Sequence, residues 1–582
     1  MNDAVLNPAE RSAKEALDHM CACIDQNKNF LLEAGAGAGK TYSLKYALKR
    51  LIQEKGNNLL RQRQQVACIS YTNVASEQIS SGIDRHPAIH SSTIHSFCWS
   101  MIKDYQPFMR NELPNMSSWS EKIEEAGGIK SQSVGYDDLG WRAIDEAQIS
   151  LHHDDVLDLT FKLMNYEKFR TRLVTRYPIL FIDEYQDTNV KIAQALRSHF
   201  LDSGQGPLMG FFGDHWQKIY GSGCGRIEHP ALEVIGKEAN FRSVPVIVDV
   251  LNRMRPELPQ QVKDPTAQGS VAVYHTNDWR GVRRTGQHWG DDLPAEVAHE
   301  YLRALVERLI TEGWNFSPDK SKILMLTHKV LAREQGYNNL ADVFPYNDAF
   351  IKKEDTHIAF FMDTLEPVCI AYENKHFGEM FAALGTRTPA IRSHTDKTAW
   401  ARDMDTLLTL RSTGTIGAVL DHLRQSKRPR LPEAAERKEQ KLQQWLKDPN
   451  MEDASKLERL HALRAISYQE VVALSRYINS FTPFETKHGV KGAEFENVLV
   501  VVGRGWNQYN FNQFLEWANS PATVPSEKRD TFERNRNLFY VTCSRPTTRL
   551  AVLFTQQLSN PAMVTLAKWF GTNTIHSLQI GR

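Results

Sequence analysis

The chain has 582 residues, more than one hydrophobic core usually supports, so we expect about two to four domains. Hydrophobic residues make up 41% of it and charged residues 24%, which is typical of folded globular proteins and excludes a largely disordered chain. The 70 basic and 69 acidic residues leave a formal net charge of +1. Any nucleic-acid contact must therefore come from a local groove rather than from overall charge.

The cysteines and the apolar runs bear on location. The 7 cysteines lack paired C-x-x-C spacing, which argues against a structural zinc site, an iron–sulfur cluster and a disulfide framework. The first residues carry no charged-then-apolar leader, and no apolar run is long enough to cross a bilayer. We therefore expect a cytoplasmic protein without a membrane partner.

The first strong motif lies at 31–41 (LLEAGAGAGKT), after helical apolar spacing at 8–26. The apolar run before the motif predicts a buried strand, and 42–52 predicts the helix after it. The loop between them would bind phosphate through backbone N–H groups and the positive helix end. Its residues are Gly35, Ala36, Gly37, Ala38, Gly39, Lys40 and Thr41. Lys40 would reach the β- and γ-phosphates and Thr41 would ligate Mg²⁺. A Gly-rich turn that binds nothing is the alternative.

Two shorter patterns follow that helix. The run at 65–71 (QVACISY) predicts a buried strand, and 74–83 predicts a helix. A turn is predicted at 90–97. The pattern weakens over 98–154, which we interpret as an inserted subdomain.

Regular strand patterns return in the middle of the chain. A buried strand at 177–183 ends in two acidic residues, and an apolar run at 207–212 ends in a Gly-Asp pair. Such strand ends are typical of a parallel α/β sheet, in which ligands gather at the carboxyl edge. A second set of strands surrounds a mainly helical region at 336–482 that includes a helix at 433–445, and these strands lie at 270–275, 322–326, 497–502 and 549–554. The sequence therefore predicts an α/β fold with two sheets.

Asp183 and Glu184 suit nucleotide chemistry. One carboxylate would hold Mg²⁺, and the other would take a proton from the attacking water. For the pair alone, a solvated acidic loop is the alternative. However, 183–189 (DEYQDTN) resembles the corresponding box of the UvrD/Rep-like branch of superfamily 1 helicases.

Further motifs of that branch occur in order along nearly the whole chain. The phosphate loop at 34–41 (AGAGAGKT) resembles the first motif of the branch, which also tolerates Ala in the leading position. The other segments resemble its TFTNxA, TFHSF, GDxxQxIY, NYRS, TxHxxKGxEF and final Arg-containing motifs, and they lie at 70–75, 93–97, 213–220, 240–243, 486–495 and 536–545. The chain is identified as a compact member of this branch. Its size fits a helicase of the Gabija-type phage-defence kind.

The resemblance implies ATP and Mg²⁺ as cofactors and gives individual residues roles. The implied catalytic residues are Glu184 (general base), Gln217 (γ-phosphate sensor), and Arg242 and Arg545 (charge neutralisation). The implied metal ligands are Thr41 and Asp183, and the other nucleotide contacts are Phe241 on the adenine and Glu494 on the sugar.

The resemblance also implies two RecA-like P-loop NTPase lobes, each interrupted by a mainly helical insertion. The implied parts are lobe 1A (1–97 and 155–250), its inserted subdomain 1B (98–154), lobe 2A (251–350 and 483–582) and its helical inserted subdomain 2B (351–482). ATP would lie between the lobes, so that closure on ATP binding and opening on hydrolysis would produce a stroke. The insertions are short for the family, and we expect no nuclease region.

Binding of single-stranded DNA requires aromatic faces for bases and donors for the backbone. The positions that the family uses along its strand-binding groove are Tyr71, Thr72, Asn73, His95, Tyr220, His488 and Lys491. For each aromatic residue or histidine taken singly, a packed core side chain is the alternative.

Two departures from the family bear on function. After Tyr220 the family presents an aromatic residue followed by Arg-Gly, whereas this chain has GSGC at 221–224, so one base-stacking platform is missing. Trp216 is the candidate replacement. The adenine-reading Gln of the family is replaced by Glu10, whose carboxylate can accept from the adenine amino group but cannot donate to N7. This replacement puts base selectivity in question.

The function predicted from the resemblance is an ATP-dependent DNA helicase or translocase that moves 3′ to 5′ on single-stranded DNA. A first alternative is a DNA-stimulated ATPase that unwinds little by itself and serves as the motor or sensor of a complex, for example with a nuclease in phage defence. A second is a nucleotide-gated binding module without sustained turnover. The expected partners are single-stranded or tailed duplex DNA and such a protein subunit.

Overall fold

The computed structural model describes the chain apart from 1–5, 137–141, 220, 222, 287–289, 326–331, 333–334, 345–347, 352, 386–390, 392, 449–453, 480–483, 487–492, 504–508 and 581–582. The chain forms two compact units. The first comprises Met1–Val271, Gln513–Leu550 and Pro561–Thr572, and the second comprises Ala272–Asn512, Ala551–Asn560 and Asn573–Arg582. The four predicted subdomain boundaries stay a prediction.

A six-stranded sheet with parallel strand pairs forms the centre of the first unit. From edge to edge its strands are Ile89–Thr93, Val66–Ser70, Ile179–Asp183, Leu208–Gly213, Phe30–Ala34 and Glu233–Lys237. The inner strands are buried throughout, because their apolar runs pack against helices on both faces. Rings of Phe30, Phe181 and Phe212 meet in this core at centroid distances of 5.4–5.9 Å.

Helices flank this sheet, and smaller strands lie beside it. The helices are Pro8–Asp25, Lys40–Arg61, Asn73–Ser81, Ile94–Ile102, Gln106–Glu112, Ser120–Glu125, His153–Met164, Glu167–Arg176, Val190–Leu196, Pro245–Met254, Phe511–Asn519, Arg529–Cys543 and Asn560–Phe570. The segment predicted as an insertion holds a three-stranded sheet that the sequence did not indicate, with strands Ser133–Gly135, Ala143–Ile144 and Gln148–Ser150. Ala239–Asn240 and Gln261–Val262 form a further short pair.

Three local predictions differ from the structure. The helix predicted at 42–52 continues to Arg61, because buried Gly56 and Leu59 extend its inner face through a polar stretch. The turn predicted at 90–97 is instead an edge strand that passes directly into a helix. Thr93 begins that helix by accepting a hydrogen bond from the Ser96 N–H. The opposite edge strand, Glu233–Lys237, was not predicted.

The other six-stranded sheet belongs mainly to the second unit. Its strands, in order across the sheet, are Phe484–Thr486, Ser321–Met325, Phe495–Val502, Pro546–Phe554, Ser270–His275 and Ile575–Ser577. The strand Ser321–Met325 pairs in parallel with both of its neighbours, and Ser270–His275 pairs in parallel with Ile575–Ser577. Together with the first sheet, this arrangement confirms the predicted α/β class.

A mainly helical region completes the second unit, as predicted for 336–482. The helices of this unit are Ala295–Thr311, Asn338–Val343, Asp348–Ile351, Thr356–Phe360, Glu366–Glu373, Phe377–Leu384, His394–Thr413, Ile416–Ser426, Glu433–Trp445, Ala454–Ala465 and Tyr468–Ile478. Their leucine and aromatic side chains share one apolar core with the second sheet. Among the described residues, no helix combines the length and the apolar character needed to span a membrane.

Candidate active site

The phosphate loop joins the strand Phe30–Ala34 to the helix Lys40–Arg61 in the first unit. Two of its glycines have left-handed backbone, with φ of +77° at Gly37 and +75° at Gly39, which L side chains rarely adopt. Gly39 is the N-cap of the helix, so the first helical N–H groups face the loop. An anion-binding loop requires this geometry.

Two buried amide side chains hold the loop from outside. Asn240 Nδ2 and Gln260 Nε2 both donate to the Ala36 carbonyl, at 3.1 and 3.0 Å. Asn240 Nδ2 also donates to Gln260 Oε1 at 3.1 Å, so the two amides support each other. The sequence motif indicated Asn240, but Gln260 belongs to no motif and was missed.

The same asparagine brings the predicted nucleotide residues to the loop. Asn240 Oδ1 accepts hydrogen bonds from the backbone N–H groups of Arg242 and Ser243, each at 2.9 Å. The Phe241 N–H donates to the Gly37 carbonyl, also at 2.9 Å. Phe241 is 38% exposed, so its ring is accessible to an adenine base.

Lys40 and Glu184 form an ion pair at the start of the phosphate-loop helix. Lys40 Nζ lies 3.2 Å from each oxygen of the Glu184 carboxylate. Glu184 has a φ of +50°, which is uncommon outside glycine and turns the chain sharply after the strand Ile179–Asp183. Gln186 Nε2 donates a further hydrogen bond to Glu184 Oε2.

Gln217 is held by its neighbour Asp214 on the short helical turn His215–Gln217. Gln217 Nε2 donates to Asp214 Oδ2 at 2.8 Å, and both side chains are buried. The Asp214 N–H donates to Gln186 Oε1 at 3.1 Å. One amide, that of Gln186, therefore connects the predicted general base to the segment that carries the predicted sensor.

A buried polar cluster lies beneath this segment, and sequence reasoning missed it. Glu33 Oε1 lies 2.6 Å from His215 Nδ1 and accepts from Arg255 Nη2 at 3.0 Å, while Tyr185 donates to Glu33 Oε2 at 2.7 Å. Desolvation by burial raises the pKa of Glu33. The hydrogen bonds from His215 and Tyr185 and the charge of Arg255 outweigh it and lower that pKa to about 2. Glu33 is therefore an anion at neutral pH.

Two arginines at predicted catalytic positions lie side by side. Arg545 is 1% exposed, and its guanidinium donates to the Val541 carbonyl and the Ser544 hydroxyl, each at 2.9 Å. Arg242 Nη1 donates to the Ser544 carbonyl at 3.1 Å. Burial, reinforced by the charge of Arg242, lowers the pKa of Arg545 to about 9, while Glu184 acts in the opposite direction. Arg545 therefore remains a cation at neutral pH, and an anionic phosphoryl group would relieve the repulsion between the two guanidinium groups.

A third cation belongs to no motif. Lys237 ends the edge strand Glu233–Lys237 and is 1% exposed. Its ammonium donates to the Ser43 hydroxyl at 2.7 Å and to the Gly39 carbonyl at 3.2 Å. Desolvation lowers the pKa of Lys237 to about 8. Positive charge is thus concentrated around the phosphate loop.

The remaining predicted ligands occupy separate elements. Thr41 lies in the first turn of the phosphate-loop helix, and Asp183 ends a buried strand. Their hydroxyl and carboxylate oxygens are the hard donors that Mg²⁺ prefers, so this donor set fits the metal. Glu494 precedes the strand Phe495–Val502 of the second unit.

Two groups of predicted DNA contacts follow neighbouring strands. Ser70 pairs in register with Thr93, so the segment Tyr71 to Asn73 and the residue His95 follow adjacent strand ends. Tyr71 is 38% exposed. The Thr72 side chain accepts from the Ala75 N–H and begins the next helix.

The other DNA candidates differ in environment. The His95 ring lies 5.3 Å from that of His153, and burial, followed by the neighbouring His153, lowers the pKa of His95 to about 4. His95 is therefore neutral at physiological pH. Tyr220, His488 and Lys491 lie outside the described residues.

Comparison with known proteins is consistent with these motifs. The AAA domain model matches residues 18–223, which include the phosphate loop. ATP-dependent DNA helicase Rep of Escherichia coli is 24% identical over an alignment that covers 42% of each chain. ATP-dependent DNA helicase PcrA of Staphylococcus aureus is 24% identical over 38% of this chain and 37% of its own. Together with the ordered motifs, these matches support a UvrD/Rep-like superfamily 1 helicase that hydrolyses ATP.

One relative matches from end to end. Gabija protein GajB of Bacillus cereus is 22% identical over an alignment that covers 95% of this chain and 96% of that protein. The similarity to the Gabija protein therefore extends over nearly the whole chain, whereas the alignments with Rep and PcrA cover less than half of it.

The structure describes the two residues connected with the departures from the UvrD/Rep-like pattern, Trp216 and Glu10. Trp216 is 7% exposed and lies between two guanidinium groups, 5.3 Å from that of Arg255 and 4.2 Å from that of Arg536. Its buried face is thus used for packing and does not supply an open platform for a base. Glu10 forms a capping box with Asn7, through hydrogen bonds of 3.1 and 2.9 Å, and so begins the first helix.

Proposed function

We propose that this chain is an ATP-driven motor that moves 3′ to 5′ along single-stranded DNA and unwinds duplex DNA. The observation that carries the proposal is the assembly of Lys40, Glu184, Gln217, Arg242 and Arg545 around one phosphate loop. Lys40 and Glu184 form an ion pair, and hydrogen bonds through Gln186, Asp214, Asn240 and Ser544 hold the other three. A base, a sensor and two arginines together suit repeated hydrolysis. A nucleotide-gated switch requires only the binding loop.

Hydrolysis of ATP gives each of these side chains a step. The triphosphate offers Lys40 new acceptors, so the Glu184 carboxylate leaves its ion pair. Glu184 then accepts a proton from the water that attacks the γ-phosphorus, while the Gln217 amide orients that water. The bond from the γ-phosphorus to the ADP oxygen breaks as the bond to water forms. Arg242 and Arg545 neutralise the charge that develops, and an arginine in this role contributes about 10³ to 10⁵ in rate.

The residues around the nucleotide complete the proposal. Thr41 and Asp183 would hold Mg²⁺, which would polarise the phosphate oxygens. Phe241 would stack on the adenine, and Glu494 would contact the sugar. We also propose the subdomain boundaries given above. In addition, we propose a cytoplasmic location, because the spacing of the cysteines lacks the pattern of a disulfide framework.

The proposed DNA path runs along the carboxyl edge of the first sheet. Exposed Tyr71 would stack on a base, and Thr72, Asn73 and His95 would contact the strand beside it. We also propose His488 and Lys491 as DNA contacts, because they occupy positions of the motif at 486–495 that the family uses for strand binding.

The first test is steady-state ATP hydrolysis by the full chain, with and without single-stranded DNA, beside the Glu184→Gln variant. We expect DNA to stimulate wild-type turnover and the variant to remain inactive. Duplexes with a single 3′ or 5′ tail then test direction, and we expect only the 3′-tailed duplex to unwind. Equal unwinding of both duplexes would contradict the proposed polarity.

A second candidate function is a DNA-stimulated motor or sensor subunit that unwinds little alone. The end-to-end similarity to a Gabija protein and the buried position of Trp216 favour it. Its expected partner is a nuclease. Strong DNA-stimulated hydrolysis without unwinding would support this candidate over the independent helicase.

A further inference from the structure

Two buried carboxylates lie close together beneath the predicted sensor. Glu33 is the residue before Ala34 at the end of the phosphate-loop strand, and Asp214 precedes the turn that carries Gln217. They are 8% and 0% exposed. Potential ligand atoms of Glu33, Asp214 and His215 lie within 4.8 Å of one another. Two buried carboxyl groups this close together repel when both are charged, so the cluster favours a cation between them.

Arg255 supplies that cation. Its Nη1 donates to Asp214 Oδ1 at 2.6 Å, and its Nη2 donates to Glu33 Oε1 at 3.0 Å. The side chain is 1% exposed, and its guanidinium lies 5.3 Å from the Trp216 ring centroid and 6.0 Å from that of Tyr540. A planar guanidinium can bridge two carboxylates in this way, whereas a lysine ammonium is a single point charge.

The bridge leads directly to the hydrolysis residues. Asp214 Oδ1 accepts from Arg255 and from the Trp216 N–H, and Asp214 Oδ2 accepts from the Gln217 amide. Arg255 therefore helps to fix the carboxylate that holds the sensor. The Asp214 N–H contacts Gln186, whose amide contacts Glu184. Asn537 adds support from the helix Arg529–Cys543, since its Nδ2 donates to the His215 carbonyl at 3.0 Å.

We propose that Arg255 is a positioning residue for ATP hydrolysis, which bridges Glu33 and Asp214 and thereby sets the orientation of the Gln217 amide. The inference rests on the proposed sensor role of Gln217. Arg255 acts through Asp214 and contacts neither the nucleotide nor the attacking water. Its loss should therefore slow turnover and leave ATP binding largely intact.

The test compares Arg255→Lys, Gln217→Ala and the double variant in the full chain, by steady-state kinetics and equilibrium binding of a fluorescent ATP analogue. For Arg255→Lys we expect kcat to fall about tenfold or more and the dissociation constant to stay within about twofold. The double variant should be no slower than Gln217→Ala alone, because Arg255 is proposed to act only by orienting the Gln217 amide, which the double variant lacks. Arg253→Lys is the matched control, since Arg253 lies in the last turn of the helix Pro245–Met254, which Arg255 follows, but donates to the Trp569 carbonyl.

The inference would be overturned if kcat of the double variant were reduced by the product of the two single-variant factors. It would also be overturned if Arg255→Lys bound ATP more weakly with an unchanged kcat. If Arg255→Lys does not fold, Glu33→Gln replaces it in the same comparison, with a lower kcat expected and again no added loss on Gln217→Ala. A wild-type chain without ATP turnover would instead refute the proposed function. A slow Gln217→Ala beside a wild-type-like Arg255→Lys would refute only the positioning role.

Discussion

Replacing Gly37 with alanine tests whether Asn240 holds the phosphate loop in its binding conformation. At the φ of +77° found for Gly37, an L side chain costs about 1 kcal/mol. The new Cβ would also lie 2.8 Å from Asn240 Oδ1, which accepts from Arg242 and Ser243. Displacing Asn240 would break both hydrogen bonds, at about 1 kcal/mol each. The loss of these two hydrogen bonds costs the binding conformation of the loop about 2 kcal/mol, in addition to the backbone cost. We expect this 2 kcal/mol to appear as about 30-fold weaker ATP binding.

Gly204→Ala is the matched control for this prediction. Gly204 has a φ of +66°, and a Cβ there would meet no atom within 4 Å, so only the backbone cost applies. We expect about 1 kcal/mol lower stability and unchanged ATP affinity for the control. Thermal unfolding and equilibrium binding of a fluorescent ATP analogue measure both quantities. ATP binding by Gly37→Ala within about threefold of wild type would refute the reasoning, as would an equal loss of affinity in both variants.

Glu184→Gln should retain ATP binding and lose about 10²- to 10⁴-fold in turnover, because an amide cannot accept the water proton. Lys40→Ala should lose turnover and also bind ATP more weakly. Parallel assays of ATP binding and hydrolysis check both variants. Glu33 predicts a pH dependence, since its pKa falls from 4.5 to about 2 on folding. The Glu33 carboxylate makes its full contribution to the free energy of unfolding above about pH 4.5, and this contribution is lost as the pH falls towards 2. In chemical denaturation, the free energy of unfolding of Glu33→Gln should therefore fall less steeply than that of wild type as the pH is lowered through this range. Tyr71→Ala should weaken binding of a labelled single-stranded oligonucleotide about 5- to 100-fold, since one stacked base contributes about 1–3 kcal/mol. Tyr166→Ala, which alters a tyrosine that is 55% exposed, is the control in the anisotropy measurement and should bind normally.

The first sheet shows which patterns a single sequence can resolve. Its inner strands are continuous apolar runs, because both of their faces are covered, and the sequence predicts them. Its edge strands, Ile89–Thr93 and Glu233–Lys237, carry histidine, serine, glutamate and lysine. An edge strand pairs with another strand on one side only, and its other side is not covered by the sheet. Its sequence is therefore less apolar than that of an inner strand. The sequence could not separate such a strand from a turn.

In the candidate site, too, some features can be predicted from the sequence and others cannot. Lys40, Glu184 and Arg545 are predictable because short motifs keep each beside its own strand or helix. The contacts that orient these motifs come from residues far apart in the chain, since Arg255 and Glu33 are separated by 222 positions. Glu33 did carry a signal, because an acidic residue inside a fully buried strand requires a partner. That signal predicts a counter-charge, but only the fold identifies Arg255 as its source and Asp214 as the carboxylate that shares it.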